Sequence, residues 1–123
     1  MDIVTSQAAD WETAKANQVT SAIITQHPEI LAILACNDNM ALGAVAALRA
    51  AGKEGSVKVG GFDNIAAIQQ LIKDGKVVAT ADQHGDELAA FGIEYALDAI
   101  GKKGGAMKDR ETKVDLITKE TLK

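Results

Sequence analysis

The sequence predicts an α/β fold in which a parallel sheet lies between helices, a three-layer sandwich. Two observations carry that expectation. Residues Ile30 to Cys36 form an unbroken apolar run of seven that passes directly into Asn37-Asp38-Asn39 and a helix-forming pattern. A run of that length fits a strand buried on both faces, as parallel strands are. Strand-like and helix-like stretches then alternate along nearly the whole chain, the signature of parallel strands joined by helical crossovers.

In chain order, Asp2 to Gln7 reads as a short strand ending in polar residues. Asp10 is placed to cap a helix over Trp11 to Gln26, whose Ala16, Val19, Ile23 and Ile24 keep the 3.6-residue period. His27-Pro28 closes it, because the residue before proline is driven out of the helical region. Leu31 to Ala35 is the second strand. Asp38 stands at the cap position of the next helix, Asn39 to Ala51, with Leu42, Val45, Ala46 and Leu48 facing inward. Gly43 inside this helix costs about 1 kcal/mol relative to Ala, and Gly52 supplies a left-handed stop. Val57 to Gly61 is the third strand, Ile65 to Lys73 the third helix, and Val77 to Ala81 the fourth strand. The longest helix, Asp86 to Gly101, is apolar around more of its circumference than a single core contact requires. Lys102 to Thr112 reads as a linker and Val114 to Thr118 as a last strand, followed by a frayed lysine-rich tail.

The chain of 123 residues suits one domain, 1–123. It is 47% hydrophobic but only 3% aromatic, so Ala, Val, Ile and Leu must fill the core. A net charge of −4 argues against nucleic acid as a partner. No apolar run reaches the ~20 residues of a membrane helix, and Met1 to Val4 does not begin a signal peptide. Cys36 is the single cysteine, and its apolar neighbours predict a buried core thiol.

Strands end in Thr5-Ser6-Gln7, Asn37-Asp38, Asp63-Asn64 and Asp82-Gln83. Asp and Asn cap helices in any α/β protein, so capping is the plain reading of each. Two residues exceed it: Asn37 precedes a cap already supplied by Asp38, and Gln83 is a poor cap. Ligands of open α/β sheets bind beyond the carboxyl ends of the strands. Amides and carboxylates there, with the indole of Trp11, suit a ligand offering both hydroxyls and C–H surface, which describes a sugar. Trp11 as core filler is an equal alternative. Gly60-Gly61 and Gly104-Gly105 lack phosphate-loop spacing. Asp82-x-His84-x-Asp86 is too short for a metal site, and no serine has a base-and-acid partnership. A phosphoacceptor receiver domain needs an acidic pair after the first strand, where Thr-Ser-Gln stands. No catalytic residue, metal or cofactor is expected, and the protein reads as a binder and not an enzyme.

The segments Ser6 to Trp11, Ala35 to Ala44, Gly61-Phe62-Asp63, Asp74-Gly75-Lys76 and Ala79 to Gln83 resemble, in order and spacing, the second lobe of the periplasmic ribose-binding proteins, members of a two-lobe superfamily that includes sugar-responsive repressors. The resemblance implies a flavodoxin-like lobe that closes with a companion around D-ribose or a similar small sugar. It implies that Asn37 and Asp63 hydrogen-bond sugar hydroxyls, that Gln83 binds at the hinge and that Trp11 stacks on the ring, with Asp38 left as the cap. It implies a periplasmic location and, as partners of the closed form, a transporter permease of the ABC type and a chemoreceptor. The first lobe and the opening, central strand of the second are absent from the match, so the chain reads as an incomplete second lobe with half a site, from a fragment or an internal start at Met1. Residues 83–112 are assigned to the other lobe. Gly60 departs from the branched residue usual in relatives, which weakens that strand. The expectation is at best very weak ribose binding by this chain, and a homodimer through an exposed strand edge or helix exchange. The effector lobe of a repressor is the alternative function.

Overall fold

The computed structural model describes residues 2–101 and 109–122. Its elements are α1 (Thr13–Gln26), β1 (Ala32–Leu34), α2 (Asp38–Ala50), β2 (Lys58–Phe62), α3 (Ala66–Lys73), β3 (Ala79–Asp82), α4 (Gly85–Ile100) and β4 (Asp115–Thr118). The strands form one sheet in sequential order, β1-β2-β3-β4. The first three are parallel, as the alternation predicts, with Leu34 beside Gly60 and Gly60 beside Ala79. The last is antiparallel to β3, with Asp82 opposite Asp115. The all-parallel expectation fails there because α4 does not carry the chain back across the sheet. The chain leaves β3 at its carboxyl end and re-enters beside it.

Alternation divides the sheet into unlike faces. Ile33, Val59, Gly61 and Thr80 share the face under α2 and α3, where Val59, Ile68, Ile72, Leu48 and Val77 are almost completely buried. A Cβ on Gly61 would meet Ala41 of α2, whereas one on Gly60 would meet Leu34 of β1, so the two glycines point to opposite sides. On the Gly60 side no described residue forms a covering layer. Leu34 is 74% exposed and Leu116 65%. The apolar run 30–36 is therefore not buried on both faces, and Cys36, which shares the parity of Leu34, is exposed instead of a core thiol.

α1 packs across α2 at Gly43. A Cβ there would stand 2.2 Å from the Thr13 carbonyl oxygen and 2.9 Å from the Ala16 Cβ, so glycine lets the two backbones touch. Asn17 Nδ2 donates to the Gly43 carbonyl across the same contact. Ala41, Ala44 and Ala47 are buried with Val45 and Leu48, while Ala46, expected inside, is exposed. His27 and Gly52 end their helices as expected, Gly52 at φ 66°.

Two N-terminal expectations are corrected. Residues 2–9 form no strand; Ile3 is 81% exposed, since no neighbouring strand offers a ladder. Asp10 does not cap α1: it sits at φ 49° and pairs with Lys15, while Glu12 holds the cap position without a side-chain bond. α4 has no buried residue. The expected linker lies largely outside the described residues, which resume at Asp109.

Candidate functional site

The carboxyl ends of β1, β2 and β3 lie side by side and carry Asn37, Asp63 and Gln83. Asn37 is the cap of α2: its Oδ1 accepts from the Met40 N–H at 2.8 Å. That reverses the expected division of labour, in which Asp38 held the helix. Asp38 is instead wholly buried. Its Oδ1 accepts from the Thr80 hydroxyl at 2.8 Å and its Oδ2 from the Ile65 N–H at 2.9 Å, tying α2, β3 and the start of α3 together. Room for the carboxylate comes from Gly61, where a Cβ would stand 2.1 Å from Asp38 Oδ1. Burial pushes the Asp38 carboxyl above its ordinary value, against the opposing effect of its two hydrogen bonds.

Asp63 follows β2 at φ 115° and Asn64 at φ 60°, both in a region that non-glycine residues seldom occupy. The turn is held from several sides. The Asp63 N–H donates to the Ala81 carbonyl, Asn64 Nδ2 donates to Asp82, and Gln69 Nε2 donates to Asn64 Oδ1. So fixed, Asp63 Oδ1 accepts from Gln83 Nε2 at 2.9 Å. The two residues expected to meet a ligand therefore meet each other. Asn37 stands at the adjacent strand end, where its cap bond uses the side-chain oxygen and not the N–H groups. Trp11 takes no part in these hydrogen bonds; it stands on the loop before α1 at φ 64° and is 64% exposed. It is no core filler.

Beyond Gln83 the chain crosses its returning segment. The Thr112 hydroxyl donates to the Gln83 carbonyl at 2.8 Å, and His84 Nε2 lies 2.9 Å from Asp115 Oδ2. That contact holds the imidazole above its ordinary value, with the nearby Asp82 adding to the effect. Asp82 is held below the usual carboxylate range by the His84 N–H and the Asn64 amide. No group of three metal-ligating side chains is gathered among the described residues, and no described helix is long and apolar enough to cross a membrane. Sequence reasoning missed the scaffold made by Asp38, Thr80 and Gly61. Its one visible signal was a glycine inside a strand, which marks close approach of another group.

Residues 1–104 match the periplasmic binding protein domain, and the chain belongs to that family, one of binding proteins and not of enzymes. Among curated relatives, it is 51% identical over 121 residues to the D-ribose/D-allose-binding protein of Pseudomonas aeruginosa, covering 96% of this chain and 38% of that protein. It is 42% identical over 95 residues to the ribose import binding protein of Salmonella typhimurium, covering 77% and 32% respectively. Among solved structures, a solute-binding protein of Burkholderia multivorans aligns with TM-score 0.89 and 50% identity, over 96% of this chain and 42% of that one. A solute-binding protein of Actinobacillus succinogenes with bound D-allose aligns with TM-score 0.88 and 41% identity, over 97% and 42%. The fold is thus the α/β half of a two-lobe periplasmic binding protein, and the chain spans about two fifths or less of these relatives. The repressor alternative is set aside: these relatives are named for solute binding and import, and none of them for gene regulation.

Proposed function

We propose that the carboxyl ends of β1, β2 and β3 form one half of a binding site for D-ribose or a closely related sugar such as D-allose. The observation that carries this reading is the convergence of Asn37, Asp63 and Gln83 with complementary capacity left over. With Oδ1 committed to the helix cap, Asn37 retains an amide that donates to a sugar oxygen. With Oδ1 taken by Gln83, Asp63 retains Oδ2 to accept from a sugar hydroxyl, a charge-assisted bond. The exposed Trp11 offers an apolar ring face. The reading needs no metal or cofactor. Residues 83–112 would belong to the companion lobe of the whole protein, a reading supported by the absence of any buried residue in α4. The whole protein then works in the periplasm, delivering sugar to an ABC transporter permease and signalling to a chemoreceptor.

The test is a nitrogen-edited NMR titration of this chain with D-ribose, D-allose and myo-inositol. Shifts centred on the side-chain amides of Asn37 and Gln83 and on the Asp63 N–H are expected for the aldoses. No shift at these groups at any attainable sugar concentration would overturn the reading.

A further inference from the structure

Asp63 and Gln83, which meet through a hydrogen bond, are each followed by a residue in the left-handed region. Asn64 follows Asp63 at φ 60°, and His84 follows Gln83 at φ 54°. A non-glycine residue stays there only where its surroundings hold it. One side chain holds both. Asp82 ends β3, and its Oδ2 accepts from Asn64 Nδ2 while its Oδ1 accepts from the His84 N–H, each at 2.9 Å. Together with the bond from Gln83 Nε2 to Asp63 Oδ1, these contacts close a ring across the ends of β2 and β3.

The other supports reach one side of this ring only. Gln69 Nε2 donates to Asn64 Oδ1, and the Thr80 hydroxyl accepts from the Asn64 N–H at 3.3 Å. His84 Nε2 lies against Asp115, the residue opposite Asp82 on β4. Among the described residues, Asp82 alone bonds to both Asn64 and His84. Its donors hold the carboxyl below the usual range, as befits an ionised acceptor. The polarity of the ring is fixed as well. A carboxylate only accepts, so Asn64 must turn Nδ2 to Asp82 and Oδ1 to Gln69.

We infer that Asp82 is the positioning residue of this half-site: it sets how Asp63 and Gln83 stand toward each other and toward a ligand, without being a contact itself. The inference rests on the sugar reading for what the pair meets, and on the chain alone for how the pair is held.

Two isosteric substitutions and their combination test it. Asp82→Asn sets a new amide donor against Asn64 Nδ2, and turning Asn64 over would set that donor against Gln69 Nε2. Asn64→Asp sets two carboxylates face to face. The double variant D82N/N64D restores a donor and an acceptor at every contact, with polarity reversed at one. NMR of the 123-residue chain without sugar is the first readout. Each single variant is expected to lose the short N–H to Hα contact that marks positions 64 and 84 as left-handed. The Gln83 side-chain amide is expected to move to the position of a free glutamine. The double variant is expected to restore both, with the ladder at Thr80 and Ile117 protected throughout. With D-ribose added, the initial shift of the Asp63 N–H is expected to fall about threefold or more in each single variant and to recover in the double.

A single variant that leaves both left-handed residues and the Gln83 amide unmoved would overturn the inference, as would a double variant that fails to recover. Where a single variant loses the ladder, the double variant decides, recovery supporting the inference and loss overturning it. A parent chain without any sugar shift sinks the sugar reading only, because the ligand-free readouts still decide how the pair is held.

Discussion

Asn37 and Asp38 are adjacent and chemically alike, yet the fold uses them in different ways. Asn37 caps α2 and keeps one donor in reserve, while Asp38 is a buried tie between three elements. Asn37→Asp preserves the cap acceptor and removes the donor. It should leave urea stability within about 0.5 kcal/mol of the parent, whereas Asn37→Ala should lose about 1 kcal/mol. Both should reduce the sugar-induced shifts of the Gln83 side-chain amide and the Asp63 N–H, which separates cap from contact. For Asp38 the sign follows from its raised folded value. Between the ordinary 3.8 and that higher value, the folded chain holds a proton that the unfolded chain has released. Folding stability therefore declines as pH rises through this window. Asp38→Asn removes the titration, so the parent's stability relative to this variant should shrink as pH rises from 3.8, measured by urea unfolding at several pH values. A difference that grows with pH would show that the hydrogen bonds outweigh burial.

Among the elements, the α1–α2 crossing decides the most. Intrinsic helix propensity favours Gly43→Ala by about 1 kcal/mol. The crossing opposes it, because the new Cβ would lie 2.2 Å from a backbone carbonyl that cannot swing aside. Overpacking of this kind costs about 1–3 kcal/mol, and the contact is severe enough for the upper part of that range to prevail. A net loss of midpoint in urea is expected. Gly60→Ala is the matched control: its Cβ would meet the flexible end of Leu34 at 3.3 Å and the Ala79 carbonyl oxygen at an ordinary 3.8 Å, on the open face. It should cost less than Gly43→Ala. Equal effects would mean that the helix contact is not the constraint.

At the scale of the molecule, the proposed site is one wall only. A hydrogen bond to a charged group contributes about 1.5–3 kcal/mol, and association costs on the order of 4–15 kcal/mol before any affinity appears. Micromolar binding requires about 8 kcal/mol net, which the contacts of Asn37, Asp63 and Gln83 cannot supply. Titration calorimetry with D-ribose should therefore find millimolar affinity or weaker. A micromolar constant would show that one lobe suffices.

The sequence by itself determined the α/β class, the parallel pairing of the first three strands, the helix ends at His27 and Gly52, and the strand-end position of Asn37, Asp63 and Gln83. These follow from periodicity, turn chemistry and strand-to-helix order, which are local. Only the tertiary structure decided which of Asn37 and Asp38 caps α2, that Gly43 is a contact point and not a defect, that β4 runs antiparallel, and that one sheet face with Cys36 lies open. Each of these depends on what stands across from a residue and not on what precedes it. A seven-residue apolar run reads the same whether a layer covers one face or two, and only the packing distinguishes the cases.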